Sequence, residues 1–471
     1  MSQPRKKYIG DKAFYARVMQ LILPMIAQQG ITQFVNLLDN VMVGRLGTAP
    51  MSGVAIVNQI VFIFNLTIFG GLSGASIFGA QFFGKGDHKG LRDSFRFRIL
   101  FAFGVLVLGI GVFLLFGEQL FGLYLNEGAS SAADIAATLN YAKEYMNVML
   151  WGLLPFVAVQ CFSSVLRDSG ETVSPMIASV IAILVNLVLN YLLIFGSFGF
   201  PKLGVVGAAL ATVIARYLEA VYLIARTYRH KKKYPFLEGA FRSFRVPLPL
   251  VKRIAVTGTP LLLNELLWSM GMAAIQVCYA TRGLTAVAAC NIEATIYNLF
   301  SILVMASGNA IGIMSGQMLG ANDIEGAKDS VRKMLFLTVA VNLAVGIIVI
   351  ATAPVIPQIY NTEPVVRETA TRLLMVIGCF MPLMSYINGC YFTIRSGGRT
   401  FITFLFDCVF TWVVCLPIAY LTCTFTSLSV VGVFFCVQCA DFIKVIIGAA
   451  MIHSGIWANN IVAEKQSGQE S

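Results

Sequence analysis

Twelve apolar runs, each about the 20 residues that cross a bilayer, follow one another between residues 18 and 452. They are centred near residues 30, 68, 107, 153, 185, 216, 266, 302, 343, 380, 411 and 440. Inside a hydrocarbon layer the backbone must satisfy its own hydrogen bonds, so runs of this length read as helices. Composition agrees: 57% hydrophobic and 12% charged residues in 471 cannot be hidden in an ordinary soluble core. The expectation is an all-α polytopic membrane protein with no soluble domain left over. The N-terminal stretch MSQPRKKYIGDKAFYARVMQ lacks the apolar core and cleavage site of a signal peptide, so the first run is expected to stay as a membrane helix.

An even number of spans brings both termini to one side. On that side lie Arg5, Lys6, Lys7, Lys12 and Arg17, the 84–98 loop (Lys85, Lys89, Arg92, Arg96, Arg98), Arg167, nine basic residues between Arg226 and Arg253, and Lys328, Arg332, Lys333, Arg395, Arg399 and Lys465. The other side has six: Arg45, Lys143, Lys202, Arg282, Arg367 and Arg372. The positive-inside rule then puts both termini in the cytoplasm, as for a plasma-membrane protein. The net charge of +11 is in this light a topology signal that calls for no nucleic-acid partner. The run RHKKKYP at 229–235 reads as a solvated linker, with contact to anionic lipid as the alternative. Nine of the ten cysteines fall in the second half, in or beside apolar spans, without zinc spacing, and read as packing residues. His88, His230 and His453 lie in loops or at a helix end, and no nucleophile or metal-ligand pattern points to an enzyme or a cofactor.

The stretch GKGDHKGLRDSFR at 84–96 has a near-copy, GANDIEGAKDSVR, at 320–332. A shift of 236 lays Gln81, Gly84, Asp87, Gly90, Asp93, Ser94 and Arg96 on Gln317, Gly320, Asp323, Gly326, Asp329, Ser330 and Arg332. VLRDSGET (165–172) matches TIRSGGRT (393–400) at 228, and LGVVG (203–207) matches LSVVG (428–432) at 225. An offset that drifts without reversing is what a duplicated unit with loops of unequal length leaves behind. The domains expected are an N-lobe of six helices at 1–228, a linker at 229–250, a C-lobe of six helices at 251–455 and a tail at 456–471. Six is even, so the repeats are parallel, an architecture that suits alternating access to a shared cavity. GAQFFGKG at 79–86 narrowly misses the phosphate-binding pattern GxxxxGK[ST]: Gly86 replaces the hydroxyl and a helix precedes it, so it reads as an interfacial turn. Gly308, Gly312, Gly316 and Gly320, four apart, read as a close-packing face.

Function should lie with charges placed where charge is expensive. Arg216 and Glu219 are one turn apart on the sixth span, and Asp441 and Lys444 stand at the equivalent places on the twelfth with signs exchanged. Both read as structural ion pairs, closed within one helix or across the pseudo-symmetric interface. Asp39 has no basic residue within a helical turn on its own span. It lies about 8 Å inside its helix end, Asn190 about 9 Å and Thr212 about 12 Å, and Asn186 shares a face with Asn190. A carboxylate, two amides and a hydroxyl at one level make a site for a proton or a hard cation such as sodium at Asp39; the alternative is that the amides and hydroxyl only stitch helices together. In the second half Glu265 lies about 16 Å into its span, with Trp268 one turn on as a cation-binding wall. With Glu293 and Asp407, also without a local partner, they form a candidate substrate cavity.

These residues carry a resemblance. The first-span D-x-x-M/V-x-G, the repeated G-x-x-D-x-x-G-x-[KR], [LI]-R-x-x-G-x-T twice, N-x-x-x-N on the fifth span and G-x-x-G-A-A-x-A-T on the sixth look like the multidrug and toxic compound extrusion (MATE) family, over essentially the whole chain. The resemblance implies a two-lobed, twelve-helix antiporter that expels organic cations or other xenobiotics in exchange for protons or sodium. It also implies a first-lobe cation site at Asp39, with Asn186 and Thr212 beside it. The chain departs at Asn190, where many relatives have a second aspartate, and Glu265 fits the family's seventh-helix acids less closely.

The expected cycle has ion binding at Asp39 expelling substrate outward, while Glu265 attracts a cationic substrate from the inside. The partners are then a small, cationic substrate and the lipid bilayer, and the chain is expected to act as a monomer. One rival is a flippase for a lipid-linked precursor, which would line its cavity with basic residues; only Arg216 and Lys444 lie deep enough. The other is a membrane receptor or enzyme, which would show a ligand-binding domain or a catalytic cluster.

Overall fold

The computed structural model describes residues 8–122 and 132–463. Arg5, Lys6, Lys7 and Lys465 of the topology reading, and the tail beyond residue 463, lie outside the described residues. Among those described, twelve helices are long and apolar enough to cross a membrane. They are α1 (Lys12–Gly44), α2 (Thr48–Lys85), α3 (His88–Gly122), α4 (Ala132–Asp168), α5 (Val173–Phe195), α6 (Gly204–Arg229), α7 (Leu248–Ala280), α8 (Leu284–Gly320), α9 (Ile324–Thr352), α10 (Pro364–Ser396), α11 (Thr400–Phe425) and α12 (Val430–Ser454). The chain is an all-α, multi-pass membrane protein, as its apolar runs predict.

The duplication is written into backbone irregularities. Pro24 inside α1 and Pro260 inside α7 stand at the offset of the loop repeat, and Pro155 inside α4 and Pro382 inside α10 within a few residues of theirs. Each ring removes a main-chain donor from its helix, so the two halves weaken their helices at the same places. The loop repeat also turns alike. Gly86 has φ 76° and its counterpart Asn322 φ 62°, a left-handed conformation that glycine and asparagine tolerate. In the second copy Asp323 caps α9, accepting from the Gly326 N–H at 2.9 Å.

The chain forms two compact units. One takes the residues up to Ile26, Ile77–Asp87 and everything from Arg253; the other takes Ala27–Ser76 and His88–Lys252. Both α1 and α2 therefore change unit part-way along, α1 close to Pro24.

In the second of these units α4, α5 and α6 pack together and α3 lies against α4. Arg98, fully buried, forms an ion pair with Asp168 and donates to the Ala75 carbonyl at 2.9 Å, tying α2, α3 and α4 to one point. The run at 229–235 is exposed as expected from Arg229 to Lys233, and the linker docks from Tyr234 onward. Lys231, Lys232 and Lys233 are exposed, but Tyr234, Phe236, Leu237 and Ala240 are buried. Phe236 meets Phe95 of α3 edge-on at 5.7 Å between ring centroids. Arg92 donates to the Glu238 carbonyl at 2.7 Å, and Arg96 to the Gly239 and Ala240 carbonyls at 2.6 and 2.9 Å. Aromatic burial and charge-assisted bonds to main-chain oxygens thus hold the linker on α3.

In the other unit α10 is central and packs on α8, α9 and α12. Leu373, Leu374, Ile377 and Met381 of α10 meet Val433 and Val437 of α12 in its core. The small-residue face of α8 is used for close approach: a Cβ at Gly308 would stand 2.1 Å from the Asn388 side-chain oxygen, and one at Gly320 1.9 Å from the Gln81 carbonyl oxygen. α11 is irregular, with π-helical turns at Leu405–Val409 and Thr411–Cys415.

Candidate ion and substrate sites

α1, α5 and α6 bring four side chains together within one unit. Asn190 Nδ2 donates to Asp39 Oδ1 at 2.6 Å and to Asn186 Oδ1 at 3.2 Å. Asn186 in turn donates to the Thr212 hydroxyl at 3.2 Å, and that hydroxyl donates to the Ala208 carbonyl one turn back on α6 at 3.1 Å. The N-x-x-x-N spacing puts both amides on one face of α5. Asn190 is 2% exposed and Asn186 7%, so these polar groups must satisfy one another.

The opposite orientation of the Asn186 amide suits its neighbours Asp39 and Thr212 better, although its nitrogen then faces Asn190 Nδ2 at 3.2 Å. Turned the other way, its nitrogen donates to Asp39 Oδ2 at 3.0 Å and its oxygen accepts from the Thr212 hydroxyl at 3.2 Å. The first orientation puts amide oxygen against carboxyl oxygen and suits a protonated Asp39; the second suits a carboxylate. Among the described residues no lysine or arginine forms an ion pair with Asp39, and Asn190 Oδ1 is buried without a hydrogen-bond partner. A carboxyl, an orphaned amide oxygen, a second amide and a hydroxyl make an acceptor-rich pocket into which a proton or a hard cation fits.

Two residues that sequence reading missed stand close by. Tyr145 of α4 lies near both Asp39 and Arg216, and its hydroxyl donates to Asn58 of α2 at 3.4 Å. Single polar residues in apolar spans were their signal, too common a feature to single them out.

The expected Arg216–Glu219 pair is not formed within α6. Arg216 lies 5.1 Å over the Phe156 ring and donates to the Gly152 carbonyl at 3.4 Å, both on α4. Glu219 accepts from the Ser179 hydroxyl at 2.5 Å, while Gln28 donates to Ser179 at 2.6 Å and accepts from Arg167 at 3.2 Å. The two side chains hydrogen-bond to different helices, while their charges still act on each other at longer range.

The second pair is likewise rearranged. Lys444 forms its ion pair with Asp407 of α11, at 2.9 Å, and not with Asp441. It also stands 5.5 Å from the ring centroids of Phe406 and Phe410. Asp407, read from sequence as lacking a partner, therefore has one on another helix. Its other oxygen accepts from Asn264 of α7 at 3.2 Å, and the same Asn264 amide lies 3.4 Å from the Tyr391 hydroxyl. That hydroxyl and Arg395 neighbour Glu265. The structure thus gathers Glu265 and Asp407 with Asn264, Tyr391 and Lys444. Glu293 is buried with no hydrogen bond or ion pair among the described residues, and it and Asp441 both neighbour Tyr297. Trp268 is partly exposed, 37% of its surface remaining accessible.

Comparison with known proteins bears on what such a chain is. The MatE family profile matches residues 24–192 and 260–421. A relative named "Probable multidrug resistance protein NorM" from Thermotoga maritima is 25% identical over 96% of this chain and 95% of its own length. "Probable multidrug resistance protein YoeA" from Bacillus subtilis is 27% identical over 88% and 89%. Among solved structures, one of a MATE protein in a straight conformation superposes with a TM-score of 0.83 at 21% identity, over 96% of this chain and 99% of that one. An outward-facing MATE family transporter gives 0.82 at 20% identity, over 97% and 99%.

Proposed function

Because this chain belongs to the MATE family, we propose that it is a secondary antiporter of the plasma membrane, both termini cytoplasmic, exporting organic cations or other xenobiotics in exchange for protons or sodium. The observation that carries the reading is the setting of Asp39: an intramembrane carboxyl held by Asn190 and Asn186, with no basic side chain among the described residues bonded to it. A charge in that setting is costly unless a cation joins it. An ion is therefore bound and released there at an energy cost that a rearrangement of the site can set.

The Asn186 amide supplies a means of rearrangement. With Asp39 charged and unoccupied, the Asn186 nitrogen facing Oδ2 satisfies it; a proton on Oδ2 would instead favour the amide oxygen there. Neutralising Asp39 thereby changes the hydrogen bonding between α1, α5 and α6. For antiport, ion and substrate must favour opposite conformations; moving a population from 1:99 to 99:1 takes about 5.5 kcal/mol of differential binding. A cationic substrate would be drawn by the acidic groups of the other unit, chiefly Glu265 and Glu293, since Asp407 is neutralised by Lys444. Names of relatives that refer to multidrug resistance support the substrate class.

The test is reconstitution in proteoliposomes loaded with a fluorescent organic cation. An imposed inward proton or sodium gradient is expected to drive dye efflux. No response to either gradient would refute antiport.

A further inference from the structure

The two copies of the loop repeat hold their basic side chains differently. In the first copy Arg92 and Arg96 of α3 donate to linker carbonyl oxygens at Glu238, Gly239 and Ala240. Shifted by the same 236 residues, these positions become Lys328 and Arg332 of α9. Beside them the second copy has a cleft of about 460 Å³, bordered also by Tyr8, whose ring lies 6.0 Å from that of Phe336, and by the buried Trp457. Lys328, Arg332, Ile452 and His453 stand at its outer end; Phe336, Val339 and Ala449 continue it along the helices. From Lys328 to Val339 the cleft follows α9 for about 16 Å.

Among the described residues, acids neutralise this mouth only in part. Asp329 lies 2.5 Å from Lys333 and only 4.0 Å from Arg332. Lys328 pairs at 2.8 Å with Glu325, whose side chain is 85% exposed, a setting in which an ion pair contributes little. Arg332, its side chain 42% exposed, thus lines a cleft that also has an apolar wall.

We propose that this cleft binds an anionic phospholipid, its phosphate on Arg332 and Lys328 and one acyl chain along Phe336, Val339 and Ala449. The first copy shows what donors at these two positions take, namely oxygen acceptors. A phosphate diester supplies such oxygens with the negative charge that main-chain carbonyls lack. The first turns of a membrane helix lie at headgroup level, and the apolar continuation matches the chain below. A zwitterionic lipid brings its own ammonium to two cations, and free phosphate leaves the apolar wall uncovered.

The full-length protein in detergent, titrated with phosphatidylglycerol and phosphatidylcholine of matched chains and followed by native mass spectrometry, tests this. The parent should retain one phosphatidylglycerol at least tenfold more tightly than phosphatidylcholine. Lys328→Gln/Arg332→Gln should lose that preference. Val339→Trp, which fills the apolar part with both charges intact, should weaken retention tenfold and decides the matter if the charge variant misfolds. Equal retention of the two lipids by the parent, or undiminished phosphatidylglycerol binding in the folded variants, would overturn the assignment. Displacement of the lipid by inorganic phosphate alone would overturn it in favour of a free-anion site.

Discussion

Gly84 and Gly320 make the same contact in mirrored form. A Cβ at Gly84 would stand 1.8 Å from the Gln317 carbonyl oxygen, and one at Gly320 1.9 Å from that of Gln81. Gln81 and Gly84 are the residues that match Gln317 and Gly320 in the repeat. The duplicated loop thus meets its own copy, main chain against main chain, around a local two-fold axis.

Main chain cannot move aside as a side-chain tip can. Gly84→Val or Gly320→Val is expected to cost more than ~2 kcal/mol and to lower the thermal midpoint of the purified protein, since overpacking at a backbone contact is among the costly substitutions. Gly104→Ala, where a Cβ meets nothing within 4 Å, should leave that midpoint unchanged or slightly raised. Size-exclusion profiles after heating would compare the three.

Removing one partner of a buried ion pair leaves a charge uncompensated. Lys444→Met should therefore destabilise by ~3–5 kcal/mol, and Asp407→Asn in the same chain should restore much of the loss. A double mutant no more stable than Lys444→Met would show that Lys444 does not act through Asp407.

The linker clasp has a defined pH window. Burial works against the Glu171 charge, but bonds from Lys233, the Ser174 N–H and the Tyr234 hydroxyl hold its carboxyl below the usual carboxylate range. The bond to Glu171 in turn raises Lys233 above the usual ammonium range. A lowered acid stabilises above its unfolded value, about 4.3, and loses that contribution as pH falls through the folded one. A raised base stabilises below its unfolded value, about 10.4, and loses the contribution as pH rises through the folded one. The clasp is therefore complete between those two values. Lys233 is largely exposed, so its loss in Glu171→Gln should amount to less than ~1 kcal/mol. It would be read as faster hydrogen exchange over residues 231–240 at neutral pH, corrected for intrinsic rates.

Asn190→Asp places a second carboxyl 2.6 Å from the first. Two such groups cannot both ionise without a cation between them. This variant is expected to depend more steeply on sodium in dye-efflux assays than the parent does. Unchanged sodium dependence would place Asn190 outside the ion site.

The Asp39 cluster was legible in the sequence because straight helices convert residue number into depth, and α5 and α6 run as their apolar periods say. Lys444 with Asp407 was not. Its partner was sought one turn away on α12, whereas the contact crosses to α11, where π turns shift the register of the side chains. Arg216 and Glu219 failed for the same reason: helix spacing says which residues share a face, and the neighbouring helix decides what that face meets. The linker was legible in its basic part and not beyond it. Three lysines and an arginine mark a solvated run, but Tyr234, Phe236 and Leu237 immediately after them are what docks on α3.

The most direct test of ion coupling at Asp39 is retention of a fluorescent cationic dye in drug-sensitive cells making either the parent chain or Asp39→Asn, with sodium present and absent. The amide keeps shape and hydrogen bonding and removes the charge that an ion would join. Lower retention with the parent, and none of that lowering with the variant at equal membrane abundance, is the predicted result. Equal dye export by both would contradict a coupling role for Asp39.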